Sequence, residues 1–350
     1  MTHIYTPISR RQLLRSGAAA LGGGILASGW GAKASTRYGS PTVIAQAELT
    51  PVSYGTNWFA QAEHGGFYQA VATGIYAEHG LDVTIQMGGP GVNITQVLAG
   101  GAADFAMGGS GGVLNAVAED IPLIAVASMF QKDPQVLMAH PGTTEFEDLA
   151  GRSIYVSTGA FTTYWPYIRN RYGFTDEQTR PYNFNSGPFL ADETSAQQGY
   201  LTSEPFAIEQ ESGFAPEVFL LADLGYNPYS TTIETTRRLV EEDPDLVQRF
   251  VDASILGWYS FLEDPEPAYD LIKIDNPEIS DDQLAYSFEK LDEFGIITSG
   301  DAETLGIGAM TDERWEEFFT SMTEVGVFDP DVDYKQAYTL DFVNKGVGLS

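Results

Sequence analysis

The chain has 350 residues, 43% of them hydrophobic and 12% aromatic, enough for about two folded domains at roughly 100–200 residues each. No apolar run reaches the roughly 20 residues of a membrane-spanning helix, and a chain without cysteine can build neither a disulfide framework nor a thiolate metal site. The formal net charge of −30 argues against nucleic acid or an anionic membrane surface as partner.

Residues 1–34 read as a twin-arginine signal peptide. Ser9-Arg10-Arg11-Gln12-Leu13-Leu14-Arg15 supplies the twin-arginine pattern, a weakly apolar Gly/Ala-rich stretch covers 18–30, and Ala32-Lys33-Ala34 offers a small-x-small cleavage site. Ala45-Gln46-Ala47 is an alternative cut. This route exports folded proteins, which predicts a periplasmic or otherwise extracytoplasmic mature protein. Removing the leader's four basic residues leaves 14 basic against 48 acidic side chains, a net charge of −34. Spread along the chain, this charge reads as a solvated surface suited to a salty habitat.

From 50 to about 140 the pattern alternates. VSYGTNW, LDVTIQM, ADFAMGG, IPLIAVASMF and VLMAH read as strands, with helices over 64–79, 93–100 and 112–119 between them. Short connections of this kind predict a largely parallel sheet with helices on its faces. Behind His64-Gly65-Gly66, the residues Phe67, Ala70, Val71 and Ile75 recur at helical spacing. That helix start points unpaired N–H groups beyond the strand's carboxyl end, where open α/β sheets bind ligands.

A second α/β unit spans 141–230. SIYVST reads as strand, 161–172 as helix, 194–198 as a short polar helix, and YLTSEPFAI and VFLLADLGY as strands. After Thr235 the chain turns helical, through RRLVEEDPDLVQRFVDASILGWYSFL and then 281–294 and 312–325. This tail is predicted to fold back on the first unit, giving lobe 1 as 48–140 plus 231–350 and lobe 2 as 141–230. A weak echo relates the lobes: Gln96-Val97-Leu98-Ala99-Gly100 before ADFAMGG, and Ser195-Ala196-Gln197-Gln198-Gly199 before YLTSEP, each read as a helix stopped by glycine. Two sheets presenting such strand ends to one another make a cleft.

Asn57-Trp58, His64-Gly65-Gly66-Phe67, Gly74-Ile75-Tyr76 with Gly80-Leu81-Asp82, and Glu204-Pro205 resemble the periplasmic solute-binding proteins of ABC importers, over roughly residues 50–330. Within these the chain is similar to the THI5/ThiY-like, thiamine-pyrimidine-precursor branch, neighbour to the nitrate, sulfonate and taurine binders. The resemblance implies a type II periplasmic-binding-protein fold, two α/β lobes that close on a small-molecule ligand and dock onto an ABC permease in the cytoplasmic membrane. Fungal members of the branch are enzymes that use their own histidine, bound pyridoxal phosphate and a cysteine-rich iron motif. Where they carry a lysine and a histidine, this chain reads Met107-Gly108-Gly109-Ser110-Gly111-Gly112, and it has no cysteine. A binder without cofactor or catalytic residues is the expectation.

Several residues are expected at the ligand. Trp58, at the first strand's end beside Asn57, can stack on a flat ring or serve as a core residue. His64 can donate a hydrogen bond or cap its turn, and Gly66 would let a ligand approach the backbone. Gly108, Gly109 and Ser110 open a helix after the third strand, a place that favours a phosphate or carboxylate oxygen, and they lack the GK[ST] ending of a nucleotide-hydrolysing loop. Thr158, Phe161 and Trp165 occupy the equivalent place in lobe 2, with Trp165 open between contact and core.

Glu204, beside a proline that cannot join a strand ladder, could accept two hydrogen bonds from an amino-heterocycle, or be a hinge or surface carboxylate. Phe130 and Tyr226 are further candidates near the lobe crossings. His3, His79 and His140 are scattered without metal-ligand spacing. These residues predict monomeric capture of a small, flat, nitrogen-rich molecule, a thiamine pyrimidine precursor or its phosphate, for import. A sulfonate, nitrate or other small organic anion is the alternative ligand. An exported hydrolase is disfavoured by the lack of G-x-S-x-G and H-E-x-x-H.

Overall fold

The computed structural model describes residues 49–349, so the predicted signal peptide and both cleavage sites lie outside the described residues. The strands are β1 (Thr50–Gly55), β2 (Leu81–Gln86), β3 (Phe105–Gly109), β4 (Leu123–Phe130), β5 (Gln135–Ala139), β6 (Ile154–Val156), β7 (Thr179–Pro181), β8 (Ala196–Tyr200), β9 (Glu217–Leu220) and β10 (Ser230–Thr236). They form two five-stranded sheets, β2-β1-β3-β10-β4 and β7-β6-β8-β5-β9. In each sheet the first three strands run parallel. The strand that arrives across the lobe boundary, β10 in one and β5 in the other, runs antiparallel to both its neighbours. The two lobes thus share one topology, and the expected two-lobed α/β fold is present.

The lobe boundary falls one strand earlier than the sequence suggested. VLMAH, expected in lobe 1, is β5 and pairs with β8 and β9 of the second sheet. Its residues are as buried and apolar as those of β4, so hydrophobicity cannot tell the two sheets apart. The break is the polar Gln131-Lys132-Asp133-Pro134 between them. Strand β10 escaped notice for the opposite reason. STTIETT is polar in composition, yet six of its seven residues are buried, with the Thr232 hydroxyl donating to Glu234 and the Thr235 hydroxyl to the Asp104 carbonyl at 2.7 Å.

Two further expectations are corrected in lobe 2. The segment 194–198, read as helix, is a turn followed by the start of β8 at Ala196, and a short helix Gly187–Ala191 precedes it. YLTSEPFAI divides into the end of β8 and a helix, Glu204–Ser212, with proline in its first turn, where the missing N–H costs no helical bond. The proposed echo fails accordingly: Gly199 lies inside a strand, and in lobe 1 the left-handed residue is Gly101 (φ +68°), one past the glycine expected.

The helical tail packs on the first sheet and its helices. Helix Pro244–Glu263, capped by Asp243, lays its apolar face on helix Gly65–Ala72 and on the sheet. Phe250 stacks on Phe105 with ring centres 4.1 Å apart, and Trp258 meets Phe67 and Phe130 edge-on. The half-buried Arg314, on helix Asp312–Glu324, reaches both crossings between the lobes. It donates to the Gln131 side chain at 3.1 Å and carbonyl, and to Asn227 at 3.0 Å, while covering the Tyr229 ring at 4.3 Å.

Candidate ligand-binding site

A cavity of about 200 Å³ opens between the lobes at the carboxyl ends of β1 and β8. Lobe 1 contributes Asn57, Trp58, Gln61, Glu63, His64 and Met107; lobe 2 contributes Gln135, Phe184, Gln198, Gly199, Tyr200, Ser203 and Glu204. The turn after β1 is braced from below. The Thr56 hydroxyl donates to the Trp58 carbonyl at 2.8 Å and accepts the Gly88 N–H at 3.0 Å. This holds Trp58 half-buried at the rim, where its ring lies 4.9 Å from that of Phe184 at 45°. Phe184 is 52% exposed and has φ +57°, an unusual backbone for a bulky side chain and of the kind that gathers at functional sites.

The floor is polar and buried. Gln61 donates its N–H to His64 Nδ1 at 3.3 Å, which puts the neutral ring's proton on Nε2. That Nε2 is buried without a partner, and burial pushes the imidazole down to about 3, so it stays neutral. Beside it, Glu63 Oε1 accepts from Gln61 at 3.3 Å and from the Thr202 hydroxyl across the cleft, while Oε2 has no partner. Burial pushes this carboxyl up to about 7; the Thr202 bond opposes the rise and the Glu204 charge adds to it. Glu204 accepts the Tyr200 N–H at 2.8 Å and the Tyr182 hydroxyl at 3.2 Å, and burial raises its carboxyl too. Among the described residues, no lysine or arginine lines the cavity.

Of the residues expected at the ligand, Asn57, Trp58, His64 and Glu204 line this one cavity. His64 caps its turn through Nδ1, and its Nε2 makes no hydrogen bond among the described residues. Glu204 sits at a helix start rather than a strand end.

The others lie elsewhere, for reasons that packing makes plain. Gly66 is required by helix–helix contact, since a Cβ there would stand 2.2 Å from the Trp258 ring. Gly108 and Gly109 belong to β3 and face Glu234, whose carboxylate accepts the Gly109 N–H at 3.0 Å. The place expected to hold a ligand's anionic group is taken by the protein's own acid. Ser110 closes a turn instead, its hydroxyl accepting the Tyr229 N–H at 3.0 Å. Phe130 is fully buried against Trp258, and Tyr226 is buried against Tyr167 and Phe318. Trp165 resolves to core, its indole N–H donating to Asp176 at 2.9 Å. Thr158 and Phe161 are exposed outside the cavity lining.

Among the lining residues that sequence reasoning missed, Phe184 had a signal, a phenylalanine set between asparagines in the polar loop Asn183-Phe184-Asn185-Ser186-Gly187. Glu63 had none, because one acid in an acidic chain reads as surface.

The model of the family described as NMT1/THI5 like matches residues 61–268. The riboflavin-binding protein RibY of Chloroflexus aurantiacus is 23% identical over 317 residues, covering 88% of this chain and 90% of that protein. The formylaminopyrimidine-binding protein of Halalkalibacterium halodurans is 22% identical over 288 residues, covering 77% and 83%. Among solved structures, the periplasmic aliphatic sulphonate binding protein SsuA of Escherichia coli superposes with a TM-score of 0.61 at 13% identity, covering 82% of this chain and 91% of that one. With its two like-wired lobes and the cavity between them, the chain has the periplasmic-binding-protein fold and belongs to the NMT1/THI5-like family.

Proposed function

We propose that this protein is the exported, monomeric substrate-binding component of an ABC importer, and that it captures a small, flat, amino-bearing heterocycle of the aminopyrimidine class. The observation that carries the reading is the pairing of two rim aromatics, Trp58 and Phe184, over a floor with two carboxyl groups and no basic side chain. Aromatic faces accept any flat ring, and carboxyl oxygens accept from its amino group. A sulfonate or nitrate would meet two acids and no cation in this cavity, which counts against the oxyanion alternative. A phosphate ester is disfavoured likewise, since the Glu234 carboxyl already takes the Gly109 N–H just before the glycine-rich helix start.

Size favours a ligand of one or two rings. A cavity of about 200 Å³ is smaller than the roughly 300–1,000 Å³ typical of drug-sized ligands. The Thr202–Glu63 bond joins the lobes across the cleft, as a lobe-closing mechanism needs. A thermal-shift screen with aminopyrimidines, flavins, sulfonates and nitrate tests the reading. A ligand at 100 times its dissociation constant stabilises by about 2.7 kcal/mol. An upward shift with aminopyrimidines is expected, and a shift with oxyanions alone would overturn the ligand class.

A further inference from the structure

We propose that the cleft takes its ring in a cationic, amidinium-like form, with Glu63 as the counter-charge through its unpartnered Oε2. This rests on the reading of the cleft as a site for amino-heterocycles and deepens it to a charge state. Three observations support it. First, Glu63 lines the cavity at 1% exposure with Oε1 doubly hydrogen-bonded and Oε2 bonded to nothing. A buried carboxyl oxygen left without a partner carries a desolvation cost that a donor on the ligand would relieve.

Second, among the described residues the surroundings of Glu63 hold acids and no cation. Glu204 lines the same cavity, and Asp133 and Glu63 both act on the Tyr200 hydroxyl. His64, the one nearby base, is held neutral and offers only an N–H. Helix Gly65–Ala72 carries no charged residue. Helix Asp281–Glu293 packs on the Glu63 turn through a face of Leu284, Ser287 and Leu291, with its carboxylates exposed and Lys290 paired to Glu293. A neutral ring would leave this negative site uncompensated. A ring bearing a positive N–H or amino group balances it with a charge-assisted hydrogen bond.

Third, the free His64 N–H requires an acceptor on the same ligand, so the class is a flat cation carrying a hydrogen-bond acceptor as well as donors. Glu63 joins this to lobe closure, because the Thr202 hydroxyl from lobe 2 lands on its other oxygen. The ligand and the opposing lobe therefore converge on one carboxyl group.

The test compares, by calorimetric titration, an aminopyrimidine with its N-methylated, permanently cationic analogue on the wild type, Glu63→Gln and Trp58→Ala. The permanent cation should bind the wild type more tightly than the neutral ring does at a pH where the latter is unprotonated. In Glu63→Gln its affinity should fall about tenfold or more, while the neutral ring changes less than about threefold. No mutation is needed for the second arm. With the ligand's charge fixed, wild-type affinity for the cation should drop as pH falls from about 8 to about 5.5, because Glu63 takes up a proton near 7. That slope should shrink in Glu63→Gln. Equal binding of both rings to the wild type, flat with pH and lost only in Trp58→Ala, would overturn the inference and leave the importer reading standing. Binding of neither ring would overturn both.

Discussion

Replacing Trp58 by alanine isolates the aromatic contribution of the cleft. The indole is half-buried, its ring 4.9 Å from Phe184 and 5.6 Å from Phe59. The hydrogen bond that shapes its turn goes to its backbone carbonyl, so the turn survives truncation. The main loss is then ring stacking, about 1–3 kcal/mol per stacked base. At 1.4 kcal/mol per tenfold, an aminopyrimidine should bind roughly 5- to 150-fold more weakly. Calorimetric titration reads the affinity, and a melting curve run beside it should move little. Phe184→Ala should cost a comparable amount. If the two rings clamp one ligand, the double mutant departs from the sum of the single losses by about 0.5 kcal/mol or more. An affinity within about twofold of the parent in a Trp58→Ala protein that melts normally would refute a stacking role.

Other residues should separate stability from binding. Phe130→Ala, deep against Trp258, should destabilise the fold by about 3–5 kcal/mol in denaturant unfolding and leave the ligand affinity of the folded protein unchanged. Arg314→Ala strips both lobe crossings of their shared donor and should cost on the order of 3 kcal/mol in the same assay. Glu234 is fully buried, and burial pushes its carboxyl up to about 7 from an ordinary 4.5. The native state therefore holds this proton more tightly than the unfolded chain does. The stability it confers is complete below about 4.5 and is lost as pH rises through about 7. Glu234→Gln keeps an acceptor for the Gly109 N–H and has no such proton to lose. Unfolding followed against pH should show it gaining on the parent above neutrality, on the order of 3 kcal/mol, with the difference closing in acid.

The sequence carried the architecture further than the site. Strands such as LIAVASMF and helices such as Pro244–Glu263 announce themselves by period and apolarity, and the expected α/β halves follow from them. What failed locally was the sign of polar residues. The threonines of β10 are polar in sequence yet buried in the fold, where Thr232 bonds Glu234 and Thr235 bonds the Asp104 carbonyl, so this central strand left no strand signal. Ser195-Ala196-Gln197-Gln198 looked like a polar helix because its glutamines are buried against Ser157, Tyr164 and Ser186, distant partners in the same lobe that no local window contains.

At the site, Trp58, His64 and Glu204 were legible because a strand end or helix start fixes where such residues point. The glycines misled, since a glycine that admits a ligand and one that admits a tryptophan from another helix leave the same mark in the sequence. Gly66 against Trp258, and Gly108 against Glu234, belong to the second kind. Glu63 was invisible because its role depends on Thr202, which lies 139 residues away and in the other lobe.

The central claim is that the cleft between Trp58, Phe184, Glu63 and Glu204 holds an amino-bearing ring and not an oxyanion. Paired calorimetric titrations of the mature protein with an aminopyrimidine and with an aliphatic sulfonate test it most directly. Saturable binding of the aminopyrimidine at one site per chain, with no heat of binding from the sulfonate, is the expected result. Saturable binding of the sulfonate with none of the aminopyrimidine would contradict it.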